Sequence, residues 1–338
     1  MIGYYIHHQG RGHLNRAISI ACHLRRPVTA LTSLELPEEH PFTATVTLAR
    51  DDTAETVSEP TAHGALHWAP HHDDGFGARM QAIAGWVADA RPEAMVVDVS
   101  VEVATFTRLL GVPVIMVAQP GKRVDQPHLL VHRMADHIIA PWPRDLCMPP
   151  WLRSYDSKTS YVGGISRFDG RERPHLSRGS GGAARVLVLG GAGGSTLDAE
   201  TVAALAAEQP SYHWSSLGVP GGPWTSDPWP QICAADVVVG HGGQGCVADI
   251  AAAERPAVII PQARPFDEQQ MTARVLQQHQ LAVVARRWPD HRAWPGLLAH
   301  AMSGDPARWR RWQIHGAAAR AAAAIEDTAC RCRKEAAR

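Results

Sequence analysis

The chain has 338 residues, 45% hydrophobic and 20% charged, with Lys plus Arg and Asp plus Glu at 33 each. That length allows two domains with sizeable cores, and the composition is ordinary for globular protein. Balanced charge excludes a global field drawing the chain to nucleic acid, and without an apolar run of about 18 residues no transmembrane helix is expected.

The N-terminus opens at once on strand-like sequence, so no signal peptide is expected. Six cysteines (Cys22, Cys147, Cys233, Cys246, Cys330 and Cys332) are scattered, and only the last two are close. That is neither a disulfide framework nor a zinc spacing, and reduced thiols in a cytoplasmic protein are expected. Nineteen histidines would make the protein basic below about pH 6.

Short apolar strands alternate with helical stretches, the pattern of an α/β protein with doubly wound parallel sheets. In the first half the strands are MIGYYIH, PVTALT, TATVTL, AMVVD, VPVIMVA and one near ADHIIAP, with helices around residues 14–24, 78–90 and 101–110. Residues 166–182, SRFDGRERPHLSRGSGG, break this rhythm and read as a linker. Strands then recur at RVLVLGG, YHWSSL, ADVVVGH, PAVIIP and LAVVA, with helices near 198–208, 244–253 and 266–278. The Ala-rich end from about residue 306 is expected to be helical. The domains are thus 1–165; the linker 166–182; 183–304; and a C-terminal helix, 305–338, packing back on the first domain. Two such domains would face each other across a cleft at the carboxyl ends of their strands.

The most specific segment is ADVVVGHGGQGCVADIAAAERPAVIIPQARPFDEQQ, residues 235–270. A buried strand runs into His241, Gly242 and Gly243, and a helix begins near Gln244. Glycine admits a close backbone approach, and a helix N-terminus offers free N–H groups, a geometry that suits a diphosphate. His241 adds a donor for a phosphate oxygen, and Asp249 on the following helix is placed to accept ribose hydroxyls. The bland alternative is a plain strand–Gly–helix turn. LGGAGGS, residues 189–195, offers backbone amides for an anion nest near the same place.

On these residues the chain resembles the GT-B glycosyltransferases of the UDP-glycosyltransferase and MurG-like superfamily. The motif places are held by His241, Gly243, Gly245, Cys246 and Asp249, then Pro261, then Asp267, Glu268, Gln269 and Gln270. The resemblance implies two Rossmann-like domains (a GT-B fold), with His241 and the glycines on the donor phosphates and Asp249 on the ribose. It implies that Glu268 and Gln269 bind donor sugar hydroxyls, and that Gly193, Gly194 and Ser195 lie beside the phosphates. Two departures stand out: Cys246 replaces a hydroxyl residue and is a weaker donor, and Asp249 is one methylene shorter than the usual Glu.

The resemblance also gives the opening loop, HHQGRGHLNRA at residues 7–17, a part on the acceptor side. Gly10, Arg11, Gly12 and His13 fit a GxGH pattern. An acceptor hydroxyl must lose its proton as it attacks, and histidine suits that task near neutral pH. Asp98, at the end of AMVVD, is the natural orienting carboxylate, with Glu102 a second-choice partner or an alternative base. His13 as a mere phosphate or water ligand is the competing reading, and Arg11 and Arg16 either hold an anionic acceptor or are solvated.

Residues 63–74 contain His63, His67, His71, His72, Asp73 and Asp74, enough ligands for a transition metal. Pro70 and Gly75 argue for a loop, and an acceptor surface with Trp68 and His71 is the preferred reading. Trp214, Trp224 and Trp229 flank the donor half, as core or as a face for a nucleobase. The basic tail, Trp309 and Trp312 offer either peripheral membrane contact or packing of the last helix.

The expectation is therefore a metal-independent inverting glycosyltransferase using a UDP- or dTDP-sugar and no cofactor. Its acceptor would be a small molecule, glycolipid or cell-wall precursor. A nucleotide-sugar hydrolase or epimerase, or a non-catalytic nucleotide-sugar binding protein, are the rivals.

Overall fold

The computed structural model describes residues 1–174, 182–191 and 197–337. Its first sheet is built from β1 (Ile2–Ile6), β2 (Val28–Thr32), β3 (Ala44–Thr47), β4 (Ala94–Asp98), β5 (Val114–Val117), β6 (His137–Ala140) and β7 (Thr159–Tyr161). All pairings are parallel, in the order β3-β2-β1-β4-β5-β6-β7. β1, β2 and β4 are buried along all five residues. That is why they read as continuous apolar runs rather than alternating ones: helices cover both faces. The helices of this half are α1 (Gly12–Ala21), α2 (Asp74–Ala90), α3 (Val101–Leu109), α4 (Gln126–Met134) and a single turn, α5 (Pro150–Arg153).

The second sheet takes β8 (Ala184–Leu189), β9 (Tyr212–Leu217), β10 (Val237–Gly240), β11 (Ala257–Ile259) and β12 (Val283–Val284), again parallel, in the order β12-β11-β10-β8-β9. Around it lie α6 (Ala199–Glu208), α7 (Trp229–Ala234), α8 (Gln244–Ala253), α9 (Glu268–Gln278) and α10 (Trp294–Ser303). The last helix, α11 (Ala317–Ala336), returns to the first sheet. Its buried face, Ala317, Ala318, Ala321, Ala322, Ile325 and Ala329, packs in one cluster with Ile2, Tyr4, Ile6 and Val96.

Strand order fixes where a ligand can sit. In each sheet the chain reverses its direction of winding once: between β1 and β4 in the first, between β8 and β10 in the second. Helices leave opposite faces there, so a crevice opens at the carboxyl ends of the strands. The β1 and β4 ends carry the loop to α1 and Asp98, and the β10 end carries His241.

The C-terminal segment departs from the expected helix starting near residue 306. Pro306–Trp312 is a 3-10 run, Gln313 and Gly316 are left-handed, and regular helix begins only at Ala317. The break lets the chain cross between sheets: the Gly164 N–H donates to the Trp312 carbonyl, and a Cβ at Gly164 would strike the Trp312 ring. Trp309 and Trp312 are buried, Trp309 donating its indole N–H to the Arg255 carbonyl, so of the two readings of these rings packing holds and they offer no membrane-contacting surface. No described helix is long and apolar enough to cross a membrane. α4, α5, α7, α10 and the edge strand β7 were not anticipated, each being short or polar on one side.

Ile325 is fully buried between α11 and the first sheet. Ile325→Ala should therefore destabilise the protein by about 2–4 kcal/mol. Urea titration checks it; a midpoint equal to the parent's would show that α11 contributes little.

Candidate active site

The cleft between the sheets holds a cavity of about 550 Å³. From the first half it is lined by Gln9 to Arg16 and Gln119, and from the second by Gly190, Gly191, Trp224, His241, Gly243 to Cys246, Asp249, Glu268 and Gln269. Arg167, which follows the first sheet in the chain, also faces it.

On the first-sheet side the central group is Asp98, fully buried at the end of β4, where its register partner is Ile6 of β1. Asp98 Oδ1 lies 2.9 Å from His13 Nδ1. Arg16, one turn beyond His13 on α1, donates Nε to Oδ2 (2.9 Å) and an amino group to Oδ1 (2.7 Å), while Gln119 donates at 3.4 Å. Burial alone would push this carboxyl up, but Arg16 first, and then His13, hold it well below the usual carboxylate range. It stays ionised. With Nδ1–H donated to Asp98, the other ring nitrogen, Nε2, is bonded by no described residue, and His13 lines the cavity. The arrangement suits a proton acceptor at the cleft surface.

On the second-sheet side the geometry is set by glycines. His241 Nδ1 accepts from the Gly243 N–H at 3.0 Å, so Nε2 must carry the proton and act as donor. A Cβ at Gly191 would sit 2.6 Å from that Nε2, and one at Gly243 would sit 2.6 Å from Cε1 of the same ring. Both glycines are therefore needed for the imidazole to lie flat between the two loops. Burial, helped by Arg264, lowers His241 to about 4, so the ring is neutral at physiological pH and donates through a dipole. Just beyond it α8 starts at Gln244 with Gly243 as cap residue and no capping side chain. α2, α3, α4 and α6, by contrast, are capped by Asp73, Ser100, Asp125 and Asp198. The uncapped start of α8 leaves its first N–H groups to an anion in the cleft.

The acidic motif residues separate. Gln269 is buried, and its Oε1 accepts from the N–H groups of Gly242 (3.1 Å) and Gln262 (2.9 Å), bracing the His241 loop from behind. Glu268 reaches the cleft beside Arg123, 3.4 Å away. Asp267 is outside the cavity lining, in a left-handed turn with its carboxylate on Lys122. Asp249 lines the cavity; it accepts from Ser166 Oγ (2.8 Å) and lies 3.5 Å from Arg167 Nε. Burial pushes its carboxyl up to about 6 against the pull of Arg167 and Ser166. Burial likewise raises the Cys246 thiol to about 12, so it faces the cleft uncharged. Gly193, Gly194 and Ser195 lie outside the described residues.

Gly10, Arg11 and Gly12 edge the cavity, and the Arg11 guanidinium stands 5.8 Å from the ring of Trp224 across the cleft. His71 is exposed on the loop before α2 and does not reach the cavity. Glu102 is not available as an alternative base, because its carboxylate accepts from the N–H groups of His67 and Trp68 and so anchors that loop. Arg16 is neither solvated nor free to take an acceptor: it is buried against Asp98. Of the six His and Asp residues in 63–74, only His67 belongs to a cluster with metal-ligand spacing among the described residues. Among the described residues the clusters with metal-ligand spacing are His67, Asp125 and His128, and His8, Asp51 and Asp52. Both lie off the cavity lining, with Arg123 3.2 Å from His128 and Arg50 on Asp52.

Arg167, Ser166 and Gln119 were missed in sequence. The first two sit where composition reads only as linker, and nothing in the spacing of Gln119 marks it. Arg16 did carry a signal: three residues after His13, it shares the same helix face.

Two facing parallel α/β domains with a cleft of this kind make up the GT-B fold. Residues 215–287 match the Glycosyltransferase family 28 C-terminal domain, and the chain as a whole has the GT-B fold. Solved structures with the same fold include the calicheamicin glycosyltransferase CalG4, 17% identical, with 98% of each chain covered and a TM-score of 0.66. Arabidopsis thaliana UGT89C1 complexed with UDP is 15% identical, with 98% of this chain and 99% of that one covered and a TM-score of 0.64. MurG of Acinetobacter baumannii is also 15% identical, with 96% and 99% covered and a TM-score of 0.59. No curated protein matches the chain.

A Cβ at Gly12 meets no atom within 4 Å, whereas one at Gly243 runs into a ring. Gly243→Ala should cost about 1–3 kcal/mol and turn His241 out of the cleft, while Gly12→Ala, at the start of α1, should cost nothing. Thermal melts of the two variants side by side check this; equal melting points would contradict the steric account.

Proposed function

We propose that the protein moves a sugar from a nucleoside diphosphate sugar, of UDP or dTDP type, to an acceptor hydroxyl with inversion at the anomeric carbon. The observation that carries this reading is the His13–Asp98 pair facing His241 and the uncapped α8 start across one cavity. His13 Nε2 takes the acceptor proton, and the acceptor oxygen bonds to the anomeric carbon from the first-sheet side. The bond from that carbon to the diphosphate breaks, and the electron pair leaves on the diphosphate oxygen. Asp98 orients the imidazole and stabilises the imidazolium.

Charge developing on the diphosphate meets the Nε2–H of His241, the α8 N–H groups and the Arg167 and Arg264 guanidiniums of the same cavity. The described carboxylates that line it are engaged: Asp249 with Ser166 and Arg167, and Glu268 with Arg123. Those contacts favour transfer without a divalent ion or cofactor. Asp249 takes the ribose hydroxyls through its remaining lone pairs, Trp224 offers a nucleobase face, and Glu268 meets the donor sugar. The acceptor is a small molecule, glycolipid or cell-wall precursor entering beside Gly10 to Gly12.

His13→Ala should cut turnover about 10²- to 10⁴-fold with donor affinity nearly unchanged, and EDTA should not slow the parent enzyme. Steady-state release of nucleoside diphosphate, paired with calorimetric binding of UDP- and dTDP-sugars, tests this; unchanged turnover in the variant would remove His13 as base.

Asp249 gives a pH dependence. Its folded pKa is raised to about 6, so its carboxylate is lost as pH falls through that value. A nucleotide sugar that uses the ionised form should bind more weakly below about pH 6, by up to about tenfold per pH unit. Nucleotide sugars have no phosphate group titrating there. Calorimetry from pH 5 to 8 with the parent and Asp249→Asn reads it; a slope that persists in the variant belongs to another group.

A further inference from the structure

Arg16 links groups that belong to opposite halves of the molecule. Its Nε and one amino group hold both oxygens of Asp98, and its other amino group donates to Gln244 Oε1 at 2.8 Å, at the first residue of α8. The same guanidinium comes within 3.1 Å of His13 Nδ1. Both nitrogens are donors when Nδ1–H is given to Asp98, so that approach is no hydrogen bond: it places a cation against the edge of the ring. The side chain is buried.

We propose that Arg16 is a positioning residue that couples the proton-accepting state of His13 to the docking of α8 across the cleft. Asp98 draws a proton onto His13, and Arg16 opposes it by neutralising that carboxylate and by its own charge. The Gln244 amide fixes the guanidinium in the opposing orientation, and it can do so only when the two sheets stand as they do in this structure. Arrival of the second domain thereby keeps the imidazole unprotonated and ready to accept. The other charged or titratable groups around this centre are His7, whose ring lies 5.8 Å from that of His13, the Tyr4 hydroxyl on β1, Glu268 at the start of α9, and Arg11 in the loop before α1. None of these bonds His13 in the structure.

The coupling rests on His13 being the base, but its test need not. NMR titration of the histidine ring signals, with His13 identified by its loss in His13→Ala, reads the imidazole directly. In Arg16→Met the His13 titration should move up by about one pH unit, and Arg16→Lys should return part of the shift. Asp98 loses its fork in Arg16→Met, and the fold is strained by that. Gln244→Glu provides a second arm, since its carboxylate competes with Asp98 for the same guanidinium and should also raise the His13 titration. Turnover in Arg16→Met should fall about 10- to 100-fold at neutral pH, with its acid limb displaced by the same amount as the NMR titration. A parent-like His13 titration in Gln244→Glu overturns the proposal, as does one in a folded Arg16→Met. If the titrations shift and His13→Ala keeps its turnover, the proton-acceptor reading of His13 fails while the coupling stands.

Discussion

A buried, ionised carboxylate governs the first half of the cleft. Asp98 has no solvent exposure, and removing a carboxylate from water costs several kcal/mol even after relaxation. Only a bidentate guanidinium with further hydrogen bonds offsets that, and Arg16 supplies the fork while His13 and Gln119 supply the rest. Each donor must therefore be delivered to the end of β4 from elsewhere in the chain. α1 delivers two of them because β1 is the immediate neighbour of β4, and β5, the other neighbour, leads to Gln119. The strand order and the ion pair are consequently parts of one constraint: displacing β1 from β4 would leave an uncompensated charge in the core.

The second half meets a different constraint. Its cleft wall is backbone and glycine around His241, so it is built by removing side chains rather than by pairing charges. Gly191 and Gly243 clear the space for His241, and Gly242 lets Gln269 close on the loop from behind. The cost appears where the following turn is forced: Phe266 and Asp267 both adopt left-handed backbone, which costs a non-glycine residue of order 1 kcal/mol or more each. That turn is clamped by the first half, since the Lys122 N–H donates to the Phe266 carbonyl at 2.7 Å, and Gly121 (φ +107°) has no room for a Cβ against the same carbonyl.

These two kinds of construction were not equally legible in sequence. Glycine-based sites announce themselves, because backbone approach admits one residue type and the run His241, Gly242, Gly243 is local. His13 and Asp98 were also readable, one from a GxGH loop and the other from the end of an apolar run. What spacing does not carry is the long-range closure of the network: 82 residues separate Arg16 from Asp98, and 228 separate it from Gln244. An arginine on a helix is usually solvated, so its burial is visible only once β1 and β4 are known to be neighbours. The same holds for Ser166 and Arg167, which a polar composition hides and which reach Asp249 across the start of the linker. The C-terminal region failed for a local reason, the left-handed Gln313 and Gly316 breaking what composition alone renders as one helix.

The contrast explains how the halves can work on one substrate without sharing side chains. Under the proposed function a neutral imidazole and backbone dipoles would bind a diphosphate with little change in protonation, because burial keeps His241 uncharged through the physiological range. Under the proposed function the first half has the opposite requirement: its imidazole would gain and lose a proton in each turnover, so its electrostatics would need to sit near balance rather than deep in one state. Asp98 and Arg16 at 2.7 Å provide that balance as a nearly neutral pair beside the ring. A lone buried carboxylate there would hold the proton too tightly, and a lone guanidinium would refuse it. The Gln244 contact is the place where the dipolar half touches this balance, and it does so through an uncharged amide that orients the guanidinium without adding a charge of its own.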